Sequence, residues 1–401
     1  MPRLSPRLAK RRHSATFAIA LLATCVATWA LACVALLSAQ GAPGAPASPT
    51  VASSIPEKLS DAEFWKLVTD FSESNGYFRS DNYVSNENSY QWVIPDLLRT
   101  TKRGGVYLGV GPDQNFTYLV ALQPKIAFIF DIRRQNLLTH LMYKALIEQS
   151  ADRADFVSHV FSRPRPARLD SASTAEAIFT AFAAVPPDSA FYHRNLDAIH
   201  DRLVATHGFA LSSDDWATLK SVYDAFVTAG PDITYNFSQR RPFYGRARMP
   251  SYADLQMETD SARVHRSYLA TEANYRALRL LETNNLVVPV VGDFAGPTAI
   301  RAVSSYLRAH GATVTAFYLS NVEQYLFQAP DDWRRFYANA ATLPIDSTST
   351  FIRSVFNGMG YARGQGSAMR AEQLLASMLE QITMFNAGKL TDYMTVLQTS
   401  R

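Results

Sequence analysis

A strand, glycine turn, helix and strand pattern constrains the fold of this 401-residue chain more than any other feature. The apolar segment Val106 to Val110 runs into the turn Gly109–Asp113, and a helix-length segment leads to a second apolar run, Ile126 to Phe130, which ends at Asp131. Glycine lets the main chain approach a ligand closely, and a carboxylate after the second strand can bind a ribose hydroxyl pair. The pattern predicts a nucleoside-binding crossover in a parallel sheet.

A second unit of the same kind follows later in the chain. Leu286 to Val291 is a strand pattern, Pro297 to His310 a helix pattern and Thr313 to Leu319 another strand pattern. Two strand, crossover helix and strand units imply a parallel sheet. We therefore predict an α/β protein with a three-layer, Rossmann-like, mostly parallel sheet.

The segment between the two units has helical periodicity and no strong strand pattern. We predict that residues 151–285 form a large helical insertion in a domain that spans residues 57–360. Residues 361–401 are predicted to form a C-terminal helical segment. Helices are also predicted specifically over Asp346 to Phe356 and over Ala368 to Phe385.

The N-terminus has the features of an export signal or a membrane anchor. Ala15 to Ala39 carries no charge, follows a basic start and precedes a Pro/Ala-rich linker at 41–56. About 20 apolar residues suffice to span a bilayer, and the basic flank stays in the cytoplasm. We predict a signal anchor at 1–40 with the folded domain outside the cytoplasm. The alternative is cleavage after Gly41 and a secreted or periplasmic protein.

Charge, cysteine content and histidine spacing limit the kinds of ligand that we predict for this protein. The formal net charge is +4, and basic residues cluster in the first dozen positions. The rest of the chain therefore lacks the excess of basic residues that is typical of nucleic-acid-binding domains. Cys25 and Cys33 both lie in the apolar N-terminal segment. His193, His200 and His207 recur every seven residues, ~10.5 Å apart along a helix and too far apart for one metal ion. The sequence predicts a small-molecule ligand, no metal and no nucleic-acid partner.

Three polar segments each allow a structural and a functional interpretation. The stretch 77–90 is either a surface loop or a lid in which Asn86 and Glu87 face a ligand. The stretch 240–248 places four arginines among aromatic residues, and it is either a solvated loop or a clamp in which Arg241 and Tyr244 bind an anionic substrate. Asp293, after the third strand pattern, either caps a helix or contacts the ligand.

The turn at 108–112, with Asp131 22 positions after Gly109, resembles motifs one and two of class I S-adenosylmethionine-dependent methyltransferases. A closer resemblance is to an uncharacterised bacterial family with this core, in which segments similar to 80–82, 131–134 and 291–297 recur. The resemblance implies S-adenosylmethionine as the cofactor. The cofactor-binding candidates are Gly109, Gly111, Asp113, Asp131, Arg133, Asp293 and Asn321. The substrate-binding candidates are Asn86, Glu87, Arg241, Tyr244 and Glu323.

Two residues depart from the methyltransferase pattern. Tyr107 stands where an acidic residue is common, and Asp113 stands at a position that is usually glycine. Asp113 would repel the carboxylate of the cofactor's methionine unless Arg133 or Arg134 neutralised it. Two functions stay open: a methyltransferase-like enzyme, or an exported, membrane-anchored binding or scaffold protein that has kept the fold and lost catalysis.

Overall fold

The computed structural model describes residues 54–236, 249–356 and 371–401, and these residues form an α/β fold around one six-stranded sheet. The strands are β1 (Val106–Val110), β2 (Ile126–Asp131), β3 (Val287–Val291), β4 (Val314–Ser320), β5 (Ile345–Phe356) and β6 (Ala371–Ser377). Their order is β3-β2-β1-β4-β5-β6. The predicted α/β class with a mostly parallel sheet is confirmed.

The sheet is parallel except at its last pair. Strand β1 pairs in parallel with β2 and β4, β2 with β3, and β4 with β5, whereas β6 runs antiparallel to β5. Every residue of β1, β2 and β3 is buried. These strands are therefore covered on both faces, which explains their continuous apolar sequences.

Fifteen α-helices are described. They are α1 (Asp61–Phe71), α2 (Ile94–Thr100), α3 (Gln114–Leu122), α4 (Arg134–Gln149), α5 (Arg153–Phe161), α6 (Ala175–Ala183), α7 (Ser189–His200), α8 (Ser213–Ala229), α9 (Tyr252–Met257), α10 (Glu272–Thr283), α11 (Ala299–Ala309), α12 (Val322–Leu326), α13 (Asp332–Ala340), α14 (Met378–Asn386) and α15 (Tyr393–Gln398). Helices α4 to α10 lie between β2 and β3 in the chain. The described part of 151–285 contains no named strand, only an isolated bridge between Thr234 and Ser251.

Of the two helix predictions near the C-terminus, 346–356 was wrong, and 368–385 is confirmed only from Met378 onward, where α14 begins. Residues 346–356 belong to β5, and residues 371–377 form β6, so the described part of the 361–401 segment begins with a strand. The last eight residues of β5 are all buried, and seven of its residues pair with β6. Burial between neighbouring strands outweighed the local helical pattern, as is usual where sheet packing decides conformation.

The N-terminal prediction concerns residues 1–40, which lie outside the described residues. Within the described part, no helix has both the length and the apolar character needed to cross a membrane. The described chain begins just ahead of α1. That helix starts with a capping box, in which the side chain of Ser60 accepts from the amide of Glu63 and the Glu63 carboxylate accepts from the amide of Ser60.

Candidate functional site

A cavity of about 240 Å³ opens at the carboxyl ends of the parallel strands. Gly111 follows β1, Asp131 ends β2, Asp293 follows β3 and Asn321 follows β4, and all four line the cavity. Ligands of open α/β sheets bind at this edge because the strand ends and their loops meet there. Four aromatic side chains also line it: Phe78, Tyr235, Phe294 and Tyr325.

The structure brings half of the predicted site residues together. The pocket residues among the candidates are Gly111, Asp131, Asp293, Asn321, Asn86 and Glu87. Four further candidates are described but do not line the pocket: Gly109, Asp113, Arg133 and Glu323. Arg241 and Tyr244 lie outside the described residues, so the predicted anion clamp stays a prediction.

Asp131 is held in place by its neighbour Arg133. Its Oδ1 atom accepts hydrogen bonds from the amide of Arg133 at 2.9 Å and from the guanidinium Nε at 3.3 Å. The same guanidinium donates through Nη1 to the carbonyls of Ser80 and Asp81, at 2.6 and 3.0 Å. The Oδ2 atom has longer contacts, 3.4 Å to Asn82 Nδ2 and 3.5 Å to Arg133 Nη2. Arg133 therefore orients Asp131 and ties it to the segment before β1, and Oδ2 is the less tightly bonded oxygen.

Three hydrogen bonds to one carbonyl, that of Gly111, hold the turn after β1 in place. Gly111 has a φ of 80°, and its carbonyl accepts from Asn115 Nδ2 at 3.2 Å, Asn136 Nδ2 at 3.2 Å and His140 Nε2 at 2.9 Å. Burial lowers the pKa of His140 to about 4, so the neutral ring donates from Nε2. The sequence analysis did not identify these three side chains, although all three lie in the two helices that flank β2.

Gly109 does not line the pocket, and it makes room for a neighbouring side chain. It lies within β1, and a Cβ atom there would lie 2.0 Å from Asn115 Oδ1 and 2.7 Å from Tyr107 Cε1. The Asn115 Oδ1 accepts from the Tyr107 hydroxyl at 2.8 Å, and its Nδ2 donates to the carbonyls of residues 110, 111 and 112. Glycine at 109 leaves room for the asparagine that holds the turn, and Tyr107 is part of that arrangement.

We expect Gly109→Ala to lower the free energy of unfolding by ~1–3 kcal/mol, because the added methyl overpacks a buried site. Chemical denaturation measures the change. In a double-mutant cycle with Asn115→Ala, the double variant should lose less free energy of unfolding than the two single variants lose together. The reason is that the Asn115 side chain, with which the added methyl clashes, is absent from the double variant. Strict additivity of the two losses would contradict this account of Gly109.

Asp113 is a buried carboxyl that does not line the pocket. It is 1% exposed, and its Oδ2 accepts from Gln256 Nε2 at 2.9 Å and from the Tyr268 hydroxyl at 3.1 Å. Neither predicted arginine neutralises it, since Arg133 pairs with Asp131 and Arg134 with Asp215. Burial raises the pKa of Asp113 from 3.8 to about 7. The carboxyl therefore links the start of α3 to the helical segment between β2 and β3, and it is partly protonated at pH 7.

Asp113→Asn should make the protein more stable at alkaline pH. A carboxyl whose pKa is raised in the folded state stabilises the fold below its unfolded pKa, and this contribution is lost as the pH rises from 3.8 to about 7. Asparagine keeps the acceptor for Gln256 and Tyr268 and has no proton to lose. Denaturation at several pH values measures the free energy of unfolding. Its value for the variant should rise relative to the wild type by up to ~1.4 kcal/mol per pH unit within this window. A constant difference across the window would refute the assignment.

Glu323 was predicted on the acceptor side and instead forms a buried ion pair. Its Oε2 accepts from Arg353 Nε at 2.6 Å, and its Oε1 accepts from the Tyr337 hydroxyl at 2.6 Å. The glutamate and the arginine are each 1% exposed. Removing one partner of such a pair leaves an uncompensated buried charge. Glu323 therefore joins α12 to β5 and has no face toward the pocket.

Glu87 lies in the pocket wall formed by the polar stretch before β1. It is 1% exposed, and its carboxylate accepts hydrogen bonds from the hydroxyls of Tyr318, Ser320 and Ser354. Burial raises the pKa of this carboxyl. No ion pair involves Glu87 within the described part of the chain. The surface-loop interpretation of 77–90 does not hold for its second half, where most side chains are buried.

Asp293 does not cap α11, whose N-cap residue is Thr298, and the contact of Asp293 with a ligand stays a prediction. Its Oδ1 accepts from the amide of Ala295 at 2.8 Å, which closes the turn before α11, and the residue also lines the pocket. The turn is held from outside by Glu73, whose carboxylate accepts from the amides of Asp293, Thr298 and Ala299 at 2.7–3.1 Å. The amides of Thr298 and Ala299 begin α11, where an anion is favourable. Sequence analysis did not identify Glu73.

The described residues contain no group of three or more histidine, cysteine, aspartate or glutamate side chains placed to hold a metal ion. His207 bonds to Asp61 at 2.8 Å and to Glu148 at 2.7 Å, so it joins two elements through carboxylates.

A family model described as a domain of unknown function, DUF7790, matches residues 82–393. The chain belongs to this family. The match begins in the pocket wall and includes all six strands and every pocket residue except Phe78. No curated protein matches the sequence. The matched range therefore covers the sheet and most of the pocket, and the description of the family assigns no activity.

Proposed function

We propose that this protein binds a nucleoside-type small molecule in the pocket, with S-adenosylmethionine as the leading ligand and methyl transfer as the reaction. The observation that carries the proposal is the position of Asp131. A carboxylate at the end of β2, next to the glycine turn after β1, is where nucleotide-binding sheets hold ribose hydroxyls. The less tightly bonded Oδ2 is the acceptor that we assign to the sugar.

The sheet supports this proposal through its strand order. The order β3-β2-β1-β4-β5-β6 is the order of doubly wound, Rossmann-like sheets, and β6 departs from it in running antiparallel. The order reverses between β1 and β4, and the pocket lies at that switch point, where such sheets bind ligands. A three-layer, Rossmann-like domain is therefore part of the proposal.

The size and lining of the pocket favour a nucleoside over a dinucleotide. Its volume of about 240 Å³ is below the usual range of ligand pockets, ~300–1,000 Å³. The third glycine that supports a pyrophosphate is replaced by Gln114 in this chain. Aromatic side chains at the rim offer flat apolar surface for a base. A single nucleoside with a short substituent suits this combination.

The alternative that we keep is an exported, membrane-anchored binding or scaffold protein without catalysis. It is supported by the charge-free segment from Ala15 to Ala39 after a basic start, because a domain outside the cytoplasm meets little S-adenosylmethionine. Methyl transfer requires alignment of two reactants more than acid or base groups, so the pocket geometry suits either function. Ligand binding separates the two.

Calorimetry of the full-length protein with S-adenosylmethionine and with adenosine tests the proposal. We expect both to bind and Asp131→Asn to weaken binding roughly 10- to 100-fold, the equivalent of ~1.5–3 kcal/mol for hydrogen bonds to a charged group. Asp96→Asn is the matched control, since Asp96 is exposed and pairs with Arg99 away from the pocket. If neither compound binds, or if the two variants behave alike, the nucleoside proposal is wrong.

A further inference from the structure

Four carboxyl groups near the carboxyl edge of the sheet differ in their partners. Asp131 and Glu323 each have an arginine, Arg133 and Arg353. Asp113 and Glu87 are equally buried and have only neutral partners among the described residues. A carboxylate buried without a cation is costly, so such groups take up a proton easily. Of these two, only Glu87 lines the pocket.

The surroundings of Glu87 are tyrosines, serines and an amide. Tyr318 and Ser320 reach it from β4, Ser354 from β5 and Gln373 from β6, while Tyr107 and Tyr118 face it from β1 and α3. The tyrosine hydroxyls keep their protons, because burial raises the pKa of Tyr107, Tyr118 and Tyr318 well above 10. Glu87 is therefore the acidic group of this cluster, and burial raises its pKa.

Ser320 connects Glu87 to the pocket. Of the three hydroxyls that donate to Glu87, those of Tyr318 and Ser354 are buried and do not line the pocket, whereas Ser320 is partly exposed and does. Ser320 has a φ of 51° at the end of β4, and the pairing of β4 with β5 shifts register between Tyr318 and Ser320. Such irregularities re-aim a side chain at a cost in backbone energy. Here the result is a hydroxyl between a buried carboxylate and the cavity.

Gln114 adds an acceptor beside this pair. The side chain is 4% exposed and lines the pocket, and its Oε1 has no hydrogen-bond partner among the described residues. Its Nε2 lies 3.4 Å from the Tyr318 hydroxyl, which places the amide next to the Glu87 cluster. A buried acceptor without a partner is unfavourable until a donor reaches it. The ligand group that binds here is therefore a hydrogen-bond donor.

We propose that Glu87 and Ser320 form a proton relay that accepts a proton from a ligand bearing an ammonium or acidic hydroxyl group. The X–H bond of the ligand breaks as its proton moves to Ser320 Oγ, and the Ser320 hydroxyl proton moves to Glu87 Oε1. Ser320 ends unchanged, Glu87 ends as the neutral acid, and X keeps the electron pair of the broken bond. The inference rests on the proposed function in taking this pocket as the ligand site, and it names the class of the second reactant there.

Carbodiimide labelling of the full-length protein tests the relay without a known ligand. The probe is N,N′-diisopropylcarbodiimide, which takes the proton of a carboxylic acid, bonds to its oxygen and rearranges to a stable N-acylurea. Peptide mass spectrometry should find Glu87 labelled roughly tenfold faster than Asp113 or Glu323, since burial raises the pKa of Glu87 and, of these three carboxyls, Glu87 is the one that lines the pocket. The rate should rise as the pH falls. Absence of label on Glu87 across the pH range would overturn the proposal.

Variants separate a relay from a structural contact. In Ser320→Ala, the Glu87 carboxylate loses a donor, so the pH midpoint of labelling should rise by about one unit. Ser305→Ala on the exposed face of α11 is the control and should leave the midpoint unchanged. An unchanged midpoint in Ser320→Ala would refute the relay. Adenosine should slow the labelling of Glu87, and a failure of adenosine alone would count against the proposed nucleoside and leave the relay result standing.

Discussion

The carbonyl of Gly111 is the point on which the pocket geometry depends. Asn115 comes from α3, and Asn136 and His140 come from α4, so three donors from the two helices around β2 converge on one oxygen. A carbonyl has two lone pairs, and three partners saturate it. This carbonyl is therefore held by the protein and the turn cannot rotate freely. The pocket wall at this turn is fixed before any ligand arrives.

The partners of the buried carboxyls decide what each one does. Asp131 and Glu323 each form an ion pair with an arginine, the first at the pocket and the second inside the fold. Neutral partners leave Asp113 and Glu87 able to hold a proton, and again one is internal and one lines the pocket. Whether a carboxyl lines the pocket and whether it has a cationic partner are independent, so both features define its role. From the sequence alone, all four carboxyls were predicted to be binding residues.

The parts of the fold that could be predicted from the sequence are those whose conformation is determined by residues close together in the chain. Strands β1 to β4 are short apolar runs with helix patterns between them, and the glycine turn and Asp131 follow directly from that arrangement. Strand β5 was missed because its conformation depends on burial between β4 and β6. The partners of Asp113 are 143 and 155 positions away, and those of Glu87 on β4 and β5 are 231 to 267 positions away. No local pattern encodes such contacts.

Two non-glycine residues of the pocket wall have left-handed backbone conformations. Asn82, Gly111 and Ser320 all have φ between 51° and 80°, and all three line the cavity. Glycine adopts this region without penalty, but Asn82 and Ser320 do so at a cost of order 1 kcal/mol each. Asn82 thereby approaches Asp131, and Ser320 approaches Glu87. These two residues thus contact the two pocket carboxylates to which we assign ligand binding and proton transfer, although six other described non-glycine residues with positive φ lie outside the pocket lining.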